Sequence, residues 1–280
     1  MNIENDHMDY YHNMDRMKKA FKKFVANIKD GGFAVFGSDN ENVREIMKDT
    51  KKKCYTFGVK YPSDFMPKNI RMNGLVTHFD LFFREKNLGE MELHVPGLHN
   101  IINATAAAVV AHKLGIDMEG IANAIKTFRG VQRRFQIIDD IEGIKIIDDY
   151  AHHPTERKAT LNAARACKPR KIYAVFQPHR FSRTKLLAKD FASSFGDADE
   201  IIITDIFSAG EQPIEGISSK IIVDEIRKNG KQVSFVENKE DVYDFLSNML
   251  LPGDFVLTIG AGDISDVAYD IADQLRNKGR

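Results

Sequence analysis

Hydrophobic residues follow a repeating pattern in the second half of the chain. Five short runs rich in Ile, Val and Phe predict buried strands, at 144–148, 171–176, 200–205, 232–236 and 254–259. Helical spacing of apolar residues predicts five helices between and after them, at about 155–166, 184–194, 218–229, 239–249 and 263–276. Because strands that alternate with helices are typical of a parallel sheet covered on both faces, the pattern predicts a doubly wound α/β fold with a mainly parallel sheet.

The first half of the chain mixes helical and alternating patterns. Its predicted elements are, in chain order, a helix at 8–28, a strand at 33–36, a helix at 42–47, a strand at 54–59, antiparallel strands within 70–93, an Ala-rich helix that ends near 114, and a helix at 118–128. The pattern changes near residue 129, where we place a domain boundary. We therefore predict two domains, 1–129 and 130–280.

Composition and charge narrow the function classes. The chain has 280 residues, with 40 Lys plus Arg and 40 Asp plus Glu, so its net charge is zero. That balance argues against a general nucleic-acid-binding or membrane-surface protein. No apolar run approaches the roughly 20 residues of a membrane helix. The two cysteines, Cys54 and Cys167, lie far apart without metal-ligand spacing, which favours a reducing, cytoplasmic location.

The most informative polar segment follows the predicted strand at 144–148. It contains two carboxylates, Asp148 and Asp149, then Tyr150 and the pair His152-His153 before a Pro that suits the first turn of a helix. Ligands of open α/β sheets bind at the carboxyl ends of strands, and this turn is such a position. The alternative interpretation is a helix cap that carries a chance pair of histidines.

Two further turns carry candidate chemistry. After the strand at 171–176, Arg180 and Arg183 lie at a predicted helix entrance, where two guanidinium groups suit a carboxylate or phosphate, although they could be solvated surface residues. The Gly-Ala-Gly-Asp sequence at 260–263 superficially resembles a dinucleotide fingerprint but lacks the third glycine, so it is weak evidence for NAD. Arg133 and Arg134 could clamp a phosphate between domains or be ordinary surface charge.

A pair of amides marks the start of the Ala-rich helix. Asn100 and Asn103 are three residues apart, so they share one face of the first helical turn. Two amides there can bind a planar hydrogen-bonding ligand such as a nucleobase. Alternatively, they cap the helix, because Asn is a good N-cap residue.

Taken together, these segments resemble the Mur ligase family, the cytoplasmic ATP-dependent amide-forming enzymes of peptidoglycan synthesis. The matching segments keep the order and spacing of the family over nearly the whole chain, at 2–7, 97–104, 133–135, 148–155 and 260–263. The sequence Phe-Gln-Pro-His-Arg-Phe-Ser-Arg-Thr at 176–184 is most similar to the members that join L-alanine to UDP-N-acetylmuramate. The resemblance implies part of a Mur-ligase central domain followed by a Rossmann-like C-terminal domain.

The resemblance also implies a role for each matching residue. His7 would bind Mg²⁺ near the ATP phosphates. The residues implied to contact ATP are His99, Asn100, Asn103, Arg134 and Asp149. Those implied to shape the acceptor site are Tyr150, His152, His179, Arg180 and Arg183, with the two arginines on the alanine carboxylate. We expect Arg134 and His152 to take part in catalysis, in which an acyl phosphate on the muramyl carboxylate is attacked by the alanine amine.

The chain departs from the family in one respect. A complete family member begins with a UDP-binding domain, and its central domain opens with a P-loop, whereas no Gly-Lys-Ser or Gly-Lys-Thr occurs in these 280 residues. The sequence therefore predicts a ligase fragment that is inactive alone and needs its N-terminal segment or a partner chain that supplies it. The rival interpretations are a murein-peptide-recycling or folylpolyglutamate-type ligase, and a non-catalytic nucleotide-binding module.

Overall fold

The computed structural model describes residues 1–5 and 8–278, with the backbone alone for residue 9. It divides into two compact units, Met1–Phe128 and Arg129–Arg280. His7, the predicted Mg²⁺ ligand, lies outside the described residues. None of the helices within the described ranges combines the length and apolar character that a bilayer crossing requires.

The first unit is a five-stranded mixed sheet with helices. Its elements are α1 (Met8–Tyr11), α2 (Met14–Ala26), β1 (Ala34–Gly37), α3 (Glu41–Lys48), β2 (Cys54–Phe57), β3 (Phe65–Asn73), β4 (Val76–Phe83), β5 (Lys86–Leu93), α4 (Leu98–Lys113) and α5 (Met118–Thr127). The strands lie in sequence order; β1, β2 and β3 pair in parallel, and β3, β4 and β5 pair antiparallel. Phe57, Phe79 and Ile101 lie in the core between this sheet and α4 with α5.

Two predictions for the first unit are wrong in detail. The single helix predicted at 8–28 is broken, because His12 has a φ of 63° and the Asn13 side chain accepts a hydrogen bond from Arg16 N at 3.0 Å, which starts α2 afresh. The alternating pattern predicted from residue 70 begins earlier in the structure, at Phe65. A register shift between Lys68 and Arg71 disrupts the alternation, so only the later part of β3 shows it in the sequence.

The second unit is a six-stranded sheet. Its elements are β6 (Gln136–Ile141), β7 (Ile144–Asp149), α6 (Pro154–Ala166), β8 (Ile172–Phe176), α7 (Phe181–Ser193), β9 (Glu200–Ile203), α8 (Lys220–Lys228), β10 (Ser234–Phe235), a 3₁₀ turn (Lys239–Asp241), α9 (Val242–Leu246), β11 (Phe255–Ile259) and α10 (Ile264–Lys278). The strand order is β10-β9-β8-β11-β7-β6, and every pair is parallel except the β6–β7 hairpin.

The predicted α/β fold class with a mainly parallel sheet in the second half is confirmed. The structure corrects three local predictions: β6 was not predicted, α7 begins at Phe181 rather than 184, and the helix predicted at 239–249 is a 3₁₀ turn followed by the short α9. The β6 hairpin was missed because Asp139 and Asp140 interrupt its apolar run, and a register shift lies between Ile137 and Asp139.

The buried side chain of Arg157 connects α6 to α7. These two helices follow the polar turns at the ends of β7 and β8. Arg157 of α6 is fully buried, and its guanidinium donates to Ser194 Oγ and to the Phe191 carbonyl oxygen, each at 2.9 Å. It also lies 4.1 Å from the ring centroids of Phe176 and Phe195. Burial lowers the pKa of this guanidinium. The contacts hold the first turn of α6 to the end of α7.

Candidate functional site

The parallel register brings the polar turns of the second unit to one edge of its sheet. The last residue of β7, Asp149, pairs with Ile259 of β11, which pairs with Phe176 of β8, and Phe176 pairs with Ile203 of β9. The segments that follow these four strands therefore start at the same level. This edge is the carboxyl end of the parallel strands, where open α/β sheets bind ligands.

The two carboxylates at the end of β7 are directed into the protein. Asp149 Oδ2 accepts hydrogen bonds from Phe135 N at 2.9 Å and Thr160 Oγ1 at 3.0 Å, and its Oδ1 accepts one from Ala151 N at 2.8 Å. The side chain of Asp149 is only 4% exposed. Its carboxylate therefore orders the turn and the start of α6, and its predicted contact with a nucleotide stays a prediction.

Asp148 is equally enclosed. Its Oδ2 accepts from Arg133 Nε at 3.0 Å and its Oδ1 from Thr258 Oγ1 at 2.8 Å. Burial raises the pKa of the Asp148 carboxyl despite these contacts. Burial also raises the pKa of Asp149, to about 6, although three hydrogen bonds oppose the change. Both carboxyl groups thus accept hydrogen bonds from the protein. Burial nevertheless makes the charged form of each energetically unfavourable.

The histidine pair lies at the entrance of α6. His153 is the N-cap residue, and its Nδ1 accepts from Thr155 N at 3.4 Å. Glu156 completes a capping box, because its Oε2 accepts from the backbone N–H groups of His152 at 3.1 Å and His153 at 3.3 Å. The alternative of a helix cap is therefore correct for His153, whereas His152 is not the capping residue.

The imidazole of His152 is held by three neighbouring groups. Its Nδ1 lies 3.2 Å from the Tyr150 carbonyl oxygen, which can only accept, so Nδ1 carries the proton and Nε2 is the acceptor in the neutral ring. Glu156 Oε2 lies 3.6 Å from the same Nδ1. The Tyr150 ring packs edge-on against His152, with ring centroids 5.4 Å apart. These contacts fix the plane of the imidazole.

The two arginines before β6 differ in exposure. Arg133 is tied to the sheet edge, since its Nη2 donates to the Gly260 carbonyl oxygen at 2.7 Å in addition to its bond with Asp148. Arg134 is half exposed, with Nη1 3.5 Å from Glu156 Oε1. Both guanidinium carbons lie over the Tyr150 ring, at 5.1 Å for Arg133 and 5.6 Å for Arg134. Arg134 is therefore the arginine of this pair that a ligand could reach.

The turn after β8 places a second imidazole beside the first. The ring centroids of His152 and His179 are 6.2 Å apart. Arg183 Nη1 lies 3.4 Å from His179 Nδ1, and because a guanidinium only donates, the proton of the neutral His179 is on Nε2. Burial and the nearby charges of Arg183, His152 and Arg180 lower the pKa of His179 to about 4. The ring is therefore neutral near pH 7.

A loop after β9 completes this turn, and sequence reasoning did not single it out. Phe207 N donates to the Pro178 carbonyl oxygen at 2.9 Å, and Arg180 N donates to the Phe207 carbonyl oxygen at 2.8 Å. The Phe207 ring stacks on the ring of His179, with centroids 5.7 Å apart. Glu211 accepts from Ser182 N at 3.0 Å and Ser182 Oγ at 2.6 Å. The sequence signal that could have identified this loop is an aromatic residue, Phe207, and an acidic residue, Glu211, shortly after the predicted strand at 200–205.

The Gly-Ala-Gly-Asp turn after β11 serves close packing. A Cβ on Gly262 would lie 2.4 Å from Gln177 Oε1 and 2.6 Å from Phe207 Cγ, so only glycine fits there without displacement. Gln177 Nε2 donates to Asp263 Oδ1 at 2.8 Å. These contacts are those of a tight turn that allows a close approach of the backbone.

The candidate nucleotide residues of the first unit lie at the start of α4. The N-cap position is Gly97, with a φ of 101°, so neither asparagine is the cap residue. The Asn100 amide donates to the Pro96 carbonyl oxygen at 2.7 Å, and Asn103 is exposed. His99 is partly exposed on the same turn. Their predicted contact with ATP stays a prediction.

No cluster of three or more His, Cys, Asp or Glu side chains that could hold a metal ion occurs among residues 1–5 and 8–278. The described side chains therefore offer no protein cage for Mg²⁺. The predicted acceptor-site residues, in contrast, come together: Tyr150, His152, His179, Arg180 and Arg183 all belong to the β7 and β8 turns at one sheet edge.

Comparisons with known proteins match most of the chain. The family model for the Mur ligase middle domain matches residues 1–111, and the model for the Mur ligase, glutamate ligase domain matches residues 133–262. UDP-N-acetylmuramate–L-alanine ligases from Pelotomaculum thermopropionicum and Carboxydothermus hydrogenoformans are each 45% identical, over 98% and 96% of this chain. A crystal structure of UDP-N-acetylmuramate-alanine ligase from Thermotoga maritima matches 99% of the chain, with a TM-score of 0.81 and 29% identity.

The matched region is a part of each relative. The chain spans 60% of the length of the Pelotomaculum protein, 58% of the Carboxydothermus protein and 59% of the Thermotoga chain.

Proposed function

The chain belongs to the Mur ligase family, and we propose that it contributes the acceptor site and part of the nucleotide site of an ATP-dependent ligase that joins L-alanine to UDP-N-acetylmuramate. The observation that carries this proposal is the cluster of Arg183, His179 and His152 at the carboxyl edge of the second sheet. It combines positive charge for a carboxylate with an imidazole nitrogen that can accept a proton.

The acceptor site follows from the chemistry of an amino acid. Arg180 and Arg183 at the start of α7 supply charge-assisted donors for the carboxylate of L-alanine, and the helix N-terminus favours the same anion. His152 Nε2, the acceptor nitrogen of the neutral ring, would take a proton from the amino group, which must lose one to become a nucleophile. The ring of Tyr150 packs against His152 and the ring of Phe207 stacks on His179, so apolar ring surface suited to a methyl side chain lies beside both imidazoles.

The reaction that fits this site proceeds through an activated acid. The muramyl carboxyl group becomes an acyl phosphate at the expense of ATP, the alanine amine attacks its carbonyl carbon, and phosphate leaves as the amide forms. Arg134, half exposed and held near Glu156, would bind phosphate oxygens. His99, Asn100 and Asn103 would contact the adenine end of ATP.

Mg²⁺ is proposed from the family alone, since the described side chains form no cluster that could hold a metal ion.

We also propose that the phosphate-binding loop is contributed by protein outside these 280 residues, in the same polypeptide or in a partner chain, because no Gly-Lys-Ser or Gly-Lys-Thr occurs in them. Addition of a chain that carries this loop should then create ADP release that depends on L-alanine.

The acceptor site is tested by L-alanine binding to the 280-residue chain. In a titration followed by amide NMR shifts, L-alanine should shift the resonances of residues 177–184. Arg183→Ala should weaken this binding by about 10-fold or more, because it removes a charge-assisted bond to the carboxylate. Lys185→Ala, two residues along the same helix and exposed, is the matched control and should change the affinity less than about 2-fold.

The outcomes separate the candidate functions. No saturable shift with L-alanine, together with a shift caused by a murein tripeptide or by L-glutamate, would favour a recycling or folylpolyglutamate-type ligase. Binding of ATP without any amino-acid acceptor would favour a nucleotide-binding module. Equal losses in Arg183→Ala and Lys185→Ala would contradict the assignment of the carboxylate site.

A further inference from the structure

Glu211 lies in the loop after β9, at the entrance of α7 where the proposed acceptor carboxylate binds. It has a fixed position there: its Oε2 accepts from Ser182 N at 3.0 Å, and its Oε1 accepts from Ser182 Oγ at 2.6 Å. The loop itself is held by two backbone hydrogen bonds between Phe207 and the β8 turn and by the stacking of Phe207 on His179. A carboxylate of the protein thus shares the helix entrance with Arg180 and Arg183.

The charge of Glu211 persists at neutral pH. Burial alone would raise its pKa, but the hydrogen bonds from Ser182 and the positive charge of Arg180 outweigh burial and hold the pKa below its ordinary value. His179, the remaining titratable group of the β8 turn, is neutral near pH 7. The two guanidinium groups of Arg180 and Arg183 and the carboxylate of Glu211 together carry one positive unit at the start of α7.

We propose that Glu211 is a specificity-determining residue, which limits the acceptor site to amino acids with a single carboxylate. One positive unit balances the carboxylate of a neutral amino acid. A dicarboxylic amino acid would bring a second negative charge next to Glu211, and like charges in a partly desolvated site repel strongly. This inference rests on the proposed function, because it assumes that Arg180 and Arg183 bind the acceptor carboxylate.

The substitution Glu211→Gln removes the negative charge and keeps a hydrogen-bond acceptor at the same position. A glutamine Oε1 can still accept from Ser182 N, so the loop keeps an anchor while the negative charge is lost. The matched control is Glu215→Gln, which makes the same change at an exposed position of the same loop. Probes are L-alanine and L-aspartate, each titrated against the wild type and both variants with amide NMR shifts as the readout.

The wild type should bind L-alanine at least about 10-fold more tightly than L-aspartate. In Glu211→Gln the preference should fall by about 10-fold, chiefly through tighter binding of L-aspartate, and Glu215→Gln should keep the wild-type preference within about 2-fold. A Glu211→Gln variant that binds L-alanine and still excludes L-aspartate as strongly as the wild type would overturn the inference alone. A wild type that binds no L-alanine would overturn the acceptor-site assignment, and the inference with it.

Discussion

The ends of β7 and β8 lie at the same edge of one sheet, with β11 between them, yet they use their charged residues in opposite ways. At the end of β7, Asp148 and Asp149 are almost fully buried, and their oxygens accept hydrogen bonds from the protein. At the end of β8, Arg180 and Arg183 lie partly exposed at a helix entrance. The first turn uses its polar groups to stabilise the fold, and the second holds them at the surface, where we propose that the acceptor binds.

This difference shows that a strand-end motif can be both functional and structural within a few residues. The Asp-Asp-Tyr-Ala-His-His-Pro sequence contains carboxylates that order the turn and a capping histidine. It also contains His152, which lies beside His179 and is proposed to act on the acceptor. Loss of a carboxylate in it is therefore expected to harm stability first, whereas loss of charge at the end of β8 is expected to harm binding first.

The largest expected effect is that of Asp149→Ala. The substitution leaves two buried backbone donors, Phe135 N and Ala151 N, without an acceptor. It also leaves Thr160 Oγ1 with only its 3.2 Å hydrogen bond to the Glu156 carbonyl oxygen. We expect the free energy of unfolding to fall by about 3–5 kcal/mol, measured by urea denaturation at pH 7. Asp205→Ala, an exposed aspartate just after β9, is the control and should change it by less than about 0.5 kcal/mol. Similar small losses in both variants would mean that the β7 turn is not held by its carboxylate.

The two strand ends should also respond in opposite ways to pH. The pKa of Asp149 is raised to about 6, so the part of its contribution to stability that depends on protonation is full below about pH 4 and is lost as the pH rises through 6. The pKa of His179 is lowered to about 4, so its contribution is full above about pH 6.5 and is lost as the pH falls through 4. For the buried Asp149 the change amounts to about 2–3 kcal/mol.

The measurement is a pair of NMR titrations, of the Asp149 carboxyl carbon and the His179 ring. We expect the aspartate to titrate above the histidine, the reverse of their usual order. His179→Gln should then show a free energy of unfolding that falls more steeply with rising pH, between about 4 and 6, than that of the wild type. A titration midpoint of the Asp149 carboxyl group near the ordinary pKa of aspartate would contradict the contrast between the two turns.

The sequence was sufficient for the parts of the fold that depend on local pattern. The runs at 144–148, 171–176 and 254–259 are mostly apolar because these strands are largely buried on both faces, and such runs stand out in any sequence. The polar turns after these strands could also be recognised, because the change from apolar to polar residues at the end of a buried strand is abrupt. The placement of β11 between β7 and β8 depends on pairing across about 80–110 residues, for which no local signal exists.

The candidate site was predictable where one segment carries the chemistry and was missed where several segments meet. His179, Arg180 and Arg183 stand together in the sequence. Phe207 and Glu211 come from a later segment and reach them through contacts with His179, Arg180 and Ser182. The burial of Asp149 could not be predicted from the sequence either. Nothing in the sequence separates the enclosed Asp149 from an exposed acid, because its burial is set by Phe135 and Thr160 from other elements.

The smallest expected effects come from a matched pair of hydroxyl deletions. Thr160→Val removes the donor to Asp149 Oδ2 in a buried position, and Ser182→Ala removes the donor to Glu211 Oε1 in an exposed one. Because water can replace only the exposed hydrogen bond, Thr160→Val should lower the free energy of unfolding by about 1–2 kcal/mol and Ser182→Ala by about 0.5 kcal/mol. Both values come from urea denaturation under one set of conditions.

Equal losses, or a larger loss in Ser182→Ala, would contradict the contrast between the two turns. Such a result would mean that the loop after β9 stabilises the fold through Ser182 and Glu211 in the way that Asp149 stabilises the end of β7. The negative charge beside Arg180 would then have a structural explanation. In the expected result the Ser182–Glu211 contact adds little stability, and its remaining consequence is the charge that it holds at the entrance of α7, where the acceptor carboxylate is proposed to bind.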